Sequence, residues 1–264
     1  MSDTENFEET FDKISRYLKQ QEELYAPFFK PLMPDESELV QDEIMHQNAS
    51  EIAEKITDHT SPKIKPEKTL NEQLLACQTL DELRAFCEYA DELKTDLPNT
   101  NLVFGVGNAH ADLMLIGEAP GANEDKQGEP FVGRAGQLLN KIMEAINFKR
   151  EDIYIANILK HRPPENRDPL PEERERSLPY LERQIDLIQP KLILCLGLVS
   201  GHTLLKTSLP LKDLRAKFHR YRKEYELMVT YHPAALLRNP NWKRGTWEDV
   251  QMLRKRYDEL NGKP

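Results

Sequence analysis

The chain has 264 residues, of which 39% are hydrophobic and 31% charged, and a formal net charge of −9. That length suits one sizeable domain with an extension, and no apolar run approaches the roughly 18 residues needed to span a bilayer. Three cysteines, Cys77, Cys87 and Cys195, give neither a disulfide framework nor a metal-ligand spacing, and the acidic start lacks the basic and apolar segments of a secretory signal, so a cytoplasmic location is expected.

Residues 1–68 carry 16 acids against 8 bases and read as an acidic extension and linker. Phe11, Ile14, Tyr17 and Leu18 fall at helical spacing, and the later SPKIKPEK has the composition of a mobile connector. The remaining 196 residues hold 29 acids and 28 bases, and 69–264 read as one domain. NEQLLACQTLDELRAFCEYADEL has helical periodicity, and LVFGV and ADLMLIG read as strands. GRAGQLLNKIMEAI is helical, DIYIANILK a strand, and PLPEERERSLPYLERQIDLIQP a helix. KLILCLGLV is a buried strand with Cys195 inside it, VSGHTLL opens a helix, and ELMVTYHPAALL is a strand running into a loop. TWEDVQMLRKRYDEL closes the chain as a helix. Alternating strands and helices predict an α/β fold, three-layer α/β/α, with a central, mainly parallel four-stranded sheet. From Lys206 to Arg256, 13 bases stand against 5 acids, which is either a solvated helix face with a basic loop or a surface for phosphates.

In such sheets ligands sit beyond the carboxyl ends of the strands, which singles out three segments. After the strand LMLI come Gly117-Glu118-Ala119-Pro120-Gly121 and a long stretch ending GRAGQLL. Its glycines allow close backbone approach and offer N–H donors; the alternative is a long βα connection. Asn157 ends a strand, where its amide could read a pyrimidine edge or close a turn. His232 follows MVTY and precedes Pro233, placed to stabilise developing negative charge. Leu236, Leu237 and Arg238 beyond it could wedge into a base stack, or belong to the core.

Taken together, VFGVGN (103–108), GEAPGANEDKQGEPFVGRAGQLL (117–139), NILKHRPPENRDPLPEE (157–173), KLILCLG (191–197) and HPAALLRNP (232–240) resemble family-four uracil-DNA glycosylases, in the family's order. The resemblance implies a DNA-repair hydrolase that cuts the N-glycosidic bond of uracil and leaves an abasic site. It implies Glu118, Asn157 and His232 as catalytic residues. It also implies substrate contacts from Gly117, Ala119, Gly121, Glu124, Asp125, Phe131 and Asn157. Phe131 would stack on uracil, and Glu124 would crowd the methyl of thymine. Arg134, Leu236, Leu237 and Arg238 would meet DNA. Ala119 stands where the best-known uracil glycosylases carry a water-activating aspartate, so Glu118 or backbone would hold the water. The partner implied is uracil-containing DNA, single- or double-stranded, bound by a monomer that does not associate with membranes.

Family-four enzymes typically bind a four-iron cluster through four cysteines, and here the pattern fails. Cys87 matches the first ligand, but Ala90, His161 and Ser177 replace the others. Cluster ligation rests mainly on thiolates, so no cofactor is expected, and His161 is expected to pack or face DNA. Ala216 also stands where the family has a glycine. The competing readings are a non-catalytic uracil- or DNA-binding module of the same fold, and a nucleotide-binding α/β enzyme. The latter lacks its GK[ST] signature here.

Overall fold

A computed structural model of the protein describes residues 69–263. The expectations for residues 1–68, including the helix around residues 11–18, lie outside the described residues. The described chain opens with α1 (Leu70–Ala76) and α2 (Leu80–Glu88). The helical pattern runs across both, yet the chain breaks between them because each helix has its own T-x-x-E start. Thr69 and Thr79 accept the N–H groups of Glu72 and Glu82, whose carboxylates reach back to the cap N–H groups. Glu82 also takes the Gln78 N–H at 2.6 Å, which fixes the turn.

Six strands follow: β1 (Val106–Gly107), β2 (Leu113–Gly117), β3 (Tyr154–Asn157), β4 (Leu192–Leu196), β5 (Phe218–Tyr221) and β6 (Tyr225–Thr230). They lie in the order β1-β3-β2-β4-β6-β5. The four central strands are parallel, as the α/β alternation predicts. The edges β1 and β5 are antiparallel additions. LVFGV supplies only Val106 of β1, and β5 is not anticipated at all. Its hairpin turns through Arg222 and Lys223, both left-handed at φ 50° and 66°. Asn-Gly ordinarily announces that conformation, and two cations do not.

Successive side chains of the buried strands divide between two apolar layers. Met114, Ile116, Ile193, Cys195, Leu227 and Val229 face α5 (Pro171–Ile188) and α6 (Leu198–Leu205). Leu113, Leu115, Leu192, Leu194 and Met228 face α4 (Arg134–Glu144) and α9 (Lys243–Glu259). This makes the three-layer α/β/α arrangement, and it explains why these strands read as continuous apolar runs. Three short helices complete the set: α3 (Ala122–Gln127), α7 (Leu211–Leu214) and α8 (Pro233–Arg238). The stretch HPAALLR is therefore helical rather than a loop: His232 is its N-cap, and Pro233, with φ already helical, occupies its first position. A third apolar group joins α1 and α2 to the outer side of α5 through Leu83, Cys87, Leu93, Phe104 and Tyr180.

Candidate active site

The carboxyl ends of β2, β3 and β6 open on a cleft of about 390 Å³. Glu118 follows the last residue of β2, Asn157 ends β3, and His232 lies just past β6. All three line the cleft, together with Ala119, Gly121, Glu124, Phe131 and Arg238. A cleft of about 480 Å³ around Thr79, Arg84, Gly107 and Tyr154 is larger, but it lies at the amino end of β3, away from these side chains.

Phe131 is held by its loop rather than by a strand. It is left-handed, with φ 55°, a conformation costly for a bulky residue and kept only where the surroundings enforce it. Glu124 accepts the N–H groups of Val132 and Gly133 at 2.9 and 2.8 Å. Arg150 donates to the carbonyls of Phe131 and Pro130 at 3.3 and 2.5 Å. A Cβ on Gly136 would lie 1.8 Å from the Phe131 carbonyl oxygen, so only glycine admits this turn. The ring is buried, with its centroid 5.6 Å from that of His232. Gly117 packs against both Asn157 and Phe131: a Cβ there would meet Asn157 Oδ1 at 2.3 Å and the Phe131 ring at 2.6 Å.

Asn157 is buried, and its Oδ1 has no hydrogen-bond partner. Such an atom costs free energy unless a ligand donor meets it. Behind it stands Lys160, which sequence reasoning passed over. This side chain is fully buried, and its Nζ donates to the carbonyls of Asn157 (3.0 Å) and Phe104 (3.3 Å) and to Gln184 Oε1 (2.5 Å). Burial pulls its amine down to about 7. Gln184 completes the network by donating to Phe104 O at 3.0 Å and Tyr154 Oη at 3.3 Å.

His232 accepts the Ala234 N–H on Nδ1 at 3.2 Å. Burial and the nearby Arg238 push its pKa down to about 4. Glu118 is raised to about 7 by burial first and by Asp168 second. The cleft therefore pairs a neutral imidazole with a carboxyl group that titrates near neutrality.

Sequence reasoning also missed Pro120, Ala135, Pro163, Asn166, Arg167, Asp168 and Ala234, which line the same cleft. Four of them belong to PPENRD, whose prolines and charges read as an ordinary loop. That loop is stiff: Arg162 Nε donates to Asn166 Oδ1 at 2.7 Å, and Arg167 forks onto the buried Glu173 with two bonds of 2.8 Å. Asp125 and Leu236 are not placed as expected, and Arg134 lies outside the cleft lining. Asp125 turns away from the cleft and accepts the Asn101 N–H at 2.8 Å. Arg134 is exposed at the start of α4 and does not line the cleft. Leu236 is completely buried, so it cannot wedge between bases. On a helix, neighbours point about 100° apart; Leu237 therefore faces out, 41% exposed.

The residues at the cluster-ligand positions do not fit a four-thiolate cluster. The Cys87 thiol is packed in the third apolar group, where burial raises its pKa to about 12. Ala90 offers no donor atom, Ser177 only a buried hydroxyl, and His161 Nδ1 lies 2.9 Å from Thr100 Oγ1. His161 is buried, which makes it a packing residue. Among the described residues, no group of three or more His, Cys, Asp or Glu is arranged to hold a metal ion.

Residues 104–253 match the family model of the uracil DNA glycosylase superfamily. The chain is 41% identical over 184 residues to a type-4 uracil-DNA glycosylase of Archaeoglobus fulgidus, covering 67% of this chain and 89% of the relative. It is 39% identical over 181 residues to that of Pyrobaculum aerophilum, covering 66% and 92%. For the Sulfurisphaera tokodaii protein of the same description, identity is 44% over 163 residues, covering 59% and 74%.

Proposed function

The chain belongs to the uracil DNA glycosylase superfamily, and on that premise we propose that it hydrolyses the N-glycosidic bond of uracil in DNA, freeing the base and leaving an abasic site. The observation that carries this reading is the convergence of Glu118, Phe131, Asn157 and His232 on one cleft. A base inside a duplex cannot reach such a cleft, so the uracil nucleotide is swung out of the stack at a cost of a few kcal/mol. Stacking on Phe131 offsets part of this, since an aromatic–base contact is worth about 1–3 kcal/mol. Asn157 Oδ1 accepts the uracil N3–H while its amide donates to O4, which cytosine cannot match.

As the bond from C1′ to N1 breaks, its electron pair passes to the base and the sugar becomes oxocarbenium-like. His232 donates from Nε2 to O2, where that charge collects. This contact strengthens towards the transition state and so accelerates the reaction. Water bonds to C1′ and gives up a proton to the Glu118 carboxylate. Gly117, Ala119 and Gly121 let backbone border the base, and Glu124 clamps the Phe131 turn beside the position of a thymine methyl. Leu237, Arg134 and Arg238 face the DNA backbone and bases; Leu236 and Asp125 support the fold instead. The glycosylase domain is residues 69–264 in this reading, and catalysis proceeds without an iron–sulfur cluster, since Cys87 is the only thiol at the ligand positions.

An excision assay on uracil-containing oligonucleotides, single-stranded and duplex, tests the function. Release of free uracil and an alkali-labile site is expected; an unaltered strand would make the protein a binding module. Iron analysis of the purified protein tests the cofactor reading, which a brown, iron-rich preparation would overturn.

A further inference from the structure

We propose that Trp242 is a stacking platform for an unpaired nucleobase of the substrate strand, lying beside the uracil cleft. The inference rests on the glycosylase reading and extends it to the strand outside the cleft. The Trp242 ring stacks on Tyr231, with centroids 5.0 Å apart and planes at 17°. Tyr231 immediately precedes His232, so the stack stands at the carboxyl end of β6, the end of the sheet where the cleft opens. The Arg215 guanidinium also sits over the Tyr231 ring, 4.7 Å from its centroid. Arg215 is fixed in turn by the buried Asp249, through Nε to Oδ2 at 3.0 Å, and Thr230 donates to the same oxygen at 2.6 Å. Trp242 is therefore an aromatic surface backed by a fixed stack, yet it remains 41% exposed.

Its surroundings fit nucleic acid. Arg238 lines the cleft four positions earlier, and Lys243 and Arg244 follow Trp242, all three exposed. Arg244 lies 3.3 Å from Glu248, while Arg238 and Lys243 make no ion pair among the described residues. A rigid exposed aromatic interleaved with cations is how proteins hold single strands: the cations follow phosphates and the ring takes a base face. A base paired inside a duplex has both faces stacked, so the platform serves an unpaired strand.

The test compares steady-state excision by Trp242→Ala, Trp242→Phe and Trp247→Ala on a single-stranded uracil oligonucleotide and on its duplex. Trp242→Ala should raise KM on the single strand about five- to tenfold with kcat within about twofold, and Trp242→Phe should restore most of the loss. The duplex should respond less, and Trp247→Ala, equally exposed, should leave both constants unchanged. An unchanged KM for Trp242→Ala, or a fall in kcat alone, would overturn the proposal; the latter would mean that Trp242 only braces Tyr231. Trp242 and Trp247 are the two tryptophans of the chain, so in Trp247→Phe the emission comes from Trp242. Oligothymidylate, which contains no uracil, should quench it, and a flat titration would also overturn the proposal. Quenching by a protein that excises nothing would sink the glycosylase reading but keep the platform; normal excision with neither effect would do the reverse.

Discussion

His232 accepts the Ala234 N–H on Nδ1 at 3.2 Å, and this single bond both starts α8 and settles which ring nitrogen faces the cleft as a donor. A neutral imidazole whose Nδ1 accepts must carry its proton on Nε2. Burial keeps the ring neutral down to about pH 4. The residue is thus a fixed neutral donor.

His232→Ala should lower kcat for excision about 100- to 1000-fold, the usual cost of one donor to a developing anion. It should also remove a cap, at about 0.5–2 kcal/mol of stability, without unfolding the domain. Because the folded pKa lies below the ordinary 6.5, the unfolded chain binds the proton first. The wild-type protein should therefore gain stability as pH rises from about 4 to 6.5, and His232→Gln should gain less. Single-turnover excision with thermal melts across that range checks both; undiminished excision would remove the role assigned to Nε2.

Glu118 takes the water's proton only when ionised, and burial and Asp168 hold its pKa at about 7. kcat should therefore rise with pH through about 7, and Glu118→Gln should lose that limb with about a 100- to 10000-fold drop. Asp168→Asn removes a neighbouring negative charge, so the limb should move to lower pH. For stability the sign is opposite to that of His232. A folded pKa above the ordinary 4.5 gives stability that is full below 4.5 and lost as pH rises through about 7. A kcat profile that is flat through neutrality in the wild type would end this assignment.

The centre of the sheet and the cleft residues at strand ends were legible because each depends on local pattern. LMLI and LILCL are apolar on both faces, and Glu118, Asn157 and His232 stand at the ends of β2, β3 and β6. What stayed hidden depends on long-range packing or on the wrong local signal. Lys160 looks like a surface cation, and only the fold buries it against Phe104 and Gln184. Leu236 and Leu237 look alike until α8 turns one inward. The hairpin of β5 lacks a glycine at its turn, and Asn166 and Asp168 enter the cleft only because Arg167 pins their loop to Glu173.

Asn157→Asp should weaken the preference for uracil over cytosine. The unpartnered Oδ1 suits the N3–H of uracil, whereas the side-by-side donor and acceptor are needed to refuse cytosine's reversed edge. A carboxylate lacks the donor and accepts the cytosine amino group, so discrimination should fall about tenfold or more, the equivalent of at least about 1.4 kcal/mol. Competition between uracil- and cytosine-containing strands measures it, and retained discrimination would show that the edge is read elsewhere.

Lys160→Met separates the support behind the cleft from the cleft itself. The methionine keeps the stem's packing but removes the Nζ that holds the Asn157 carbonyl. Two acceptors, Asn157 O and Gln184 Oε1, lose their donor at about 1–3 kcal/mol each, while the desolvation of the amine is relieved. Net stability near pH 7 should therefore change little, but kcat should fall about tenfold, because an amide misplaced by even a small shift no longer meets the uracil edge. The pH dependence isolates the amine. Its folded pKa, about 7, lies below the ordinary 10.5, so the unfolded chain holds the proton more tightly. Wild-type stability should climb as pH rises from about 7 to 10.5, and Lys160→Met should lack that climb. Denaturant titrations of the two proteins at neutral and alkaline pH give the comparison; parallel slopes would mean that the amine is charged in the folded state and that the network is held by an ion rather than by a neutral donor.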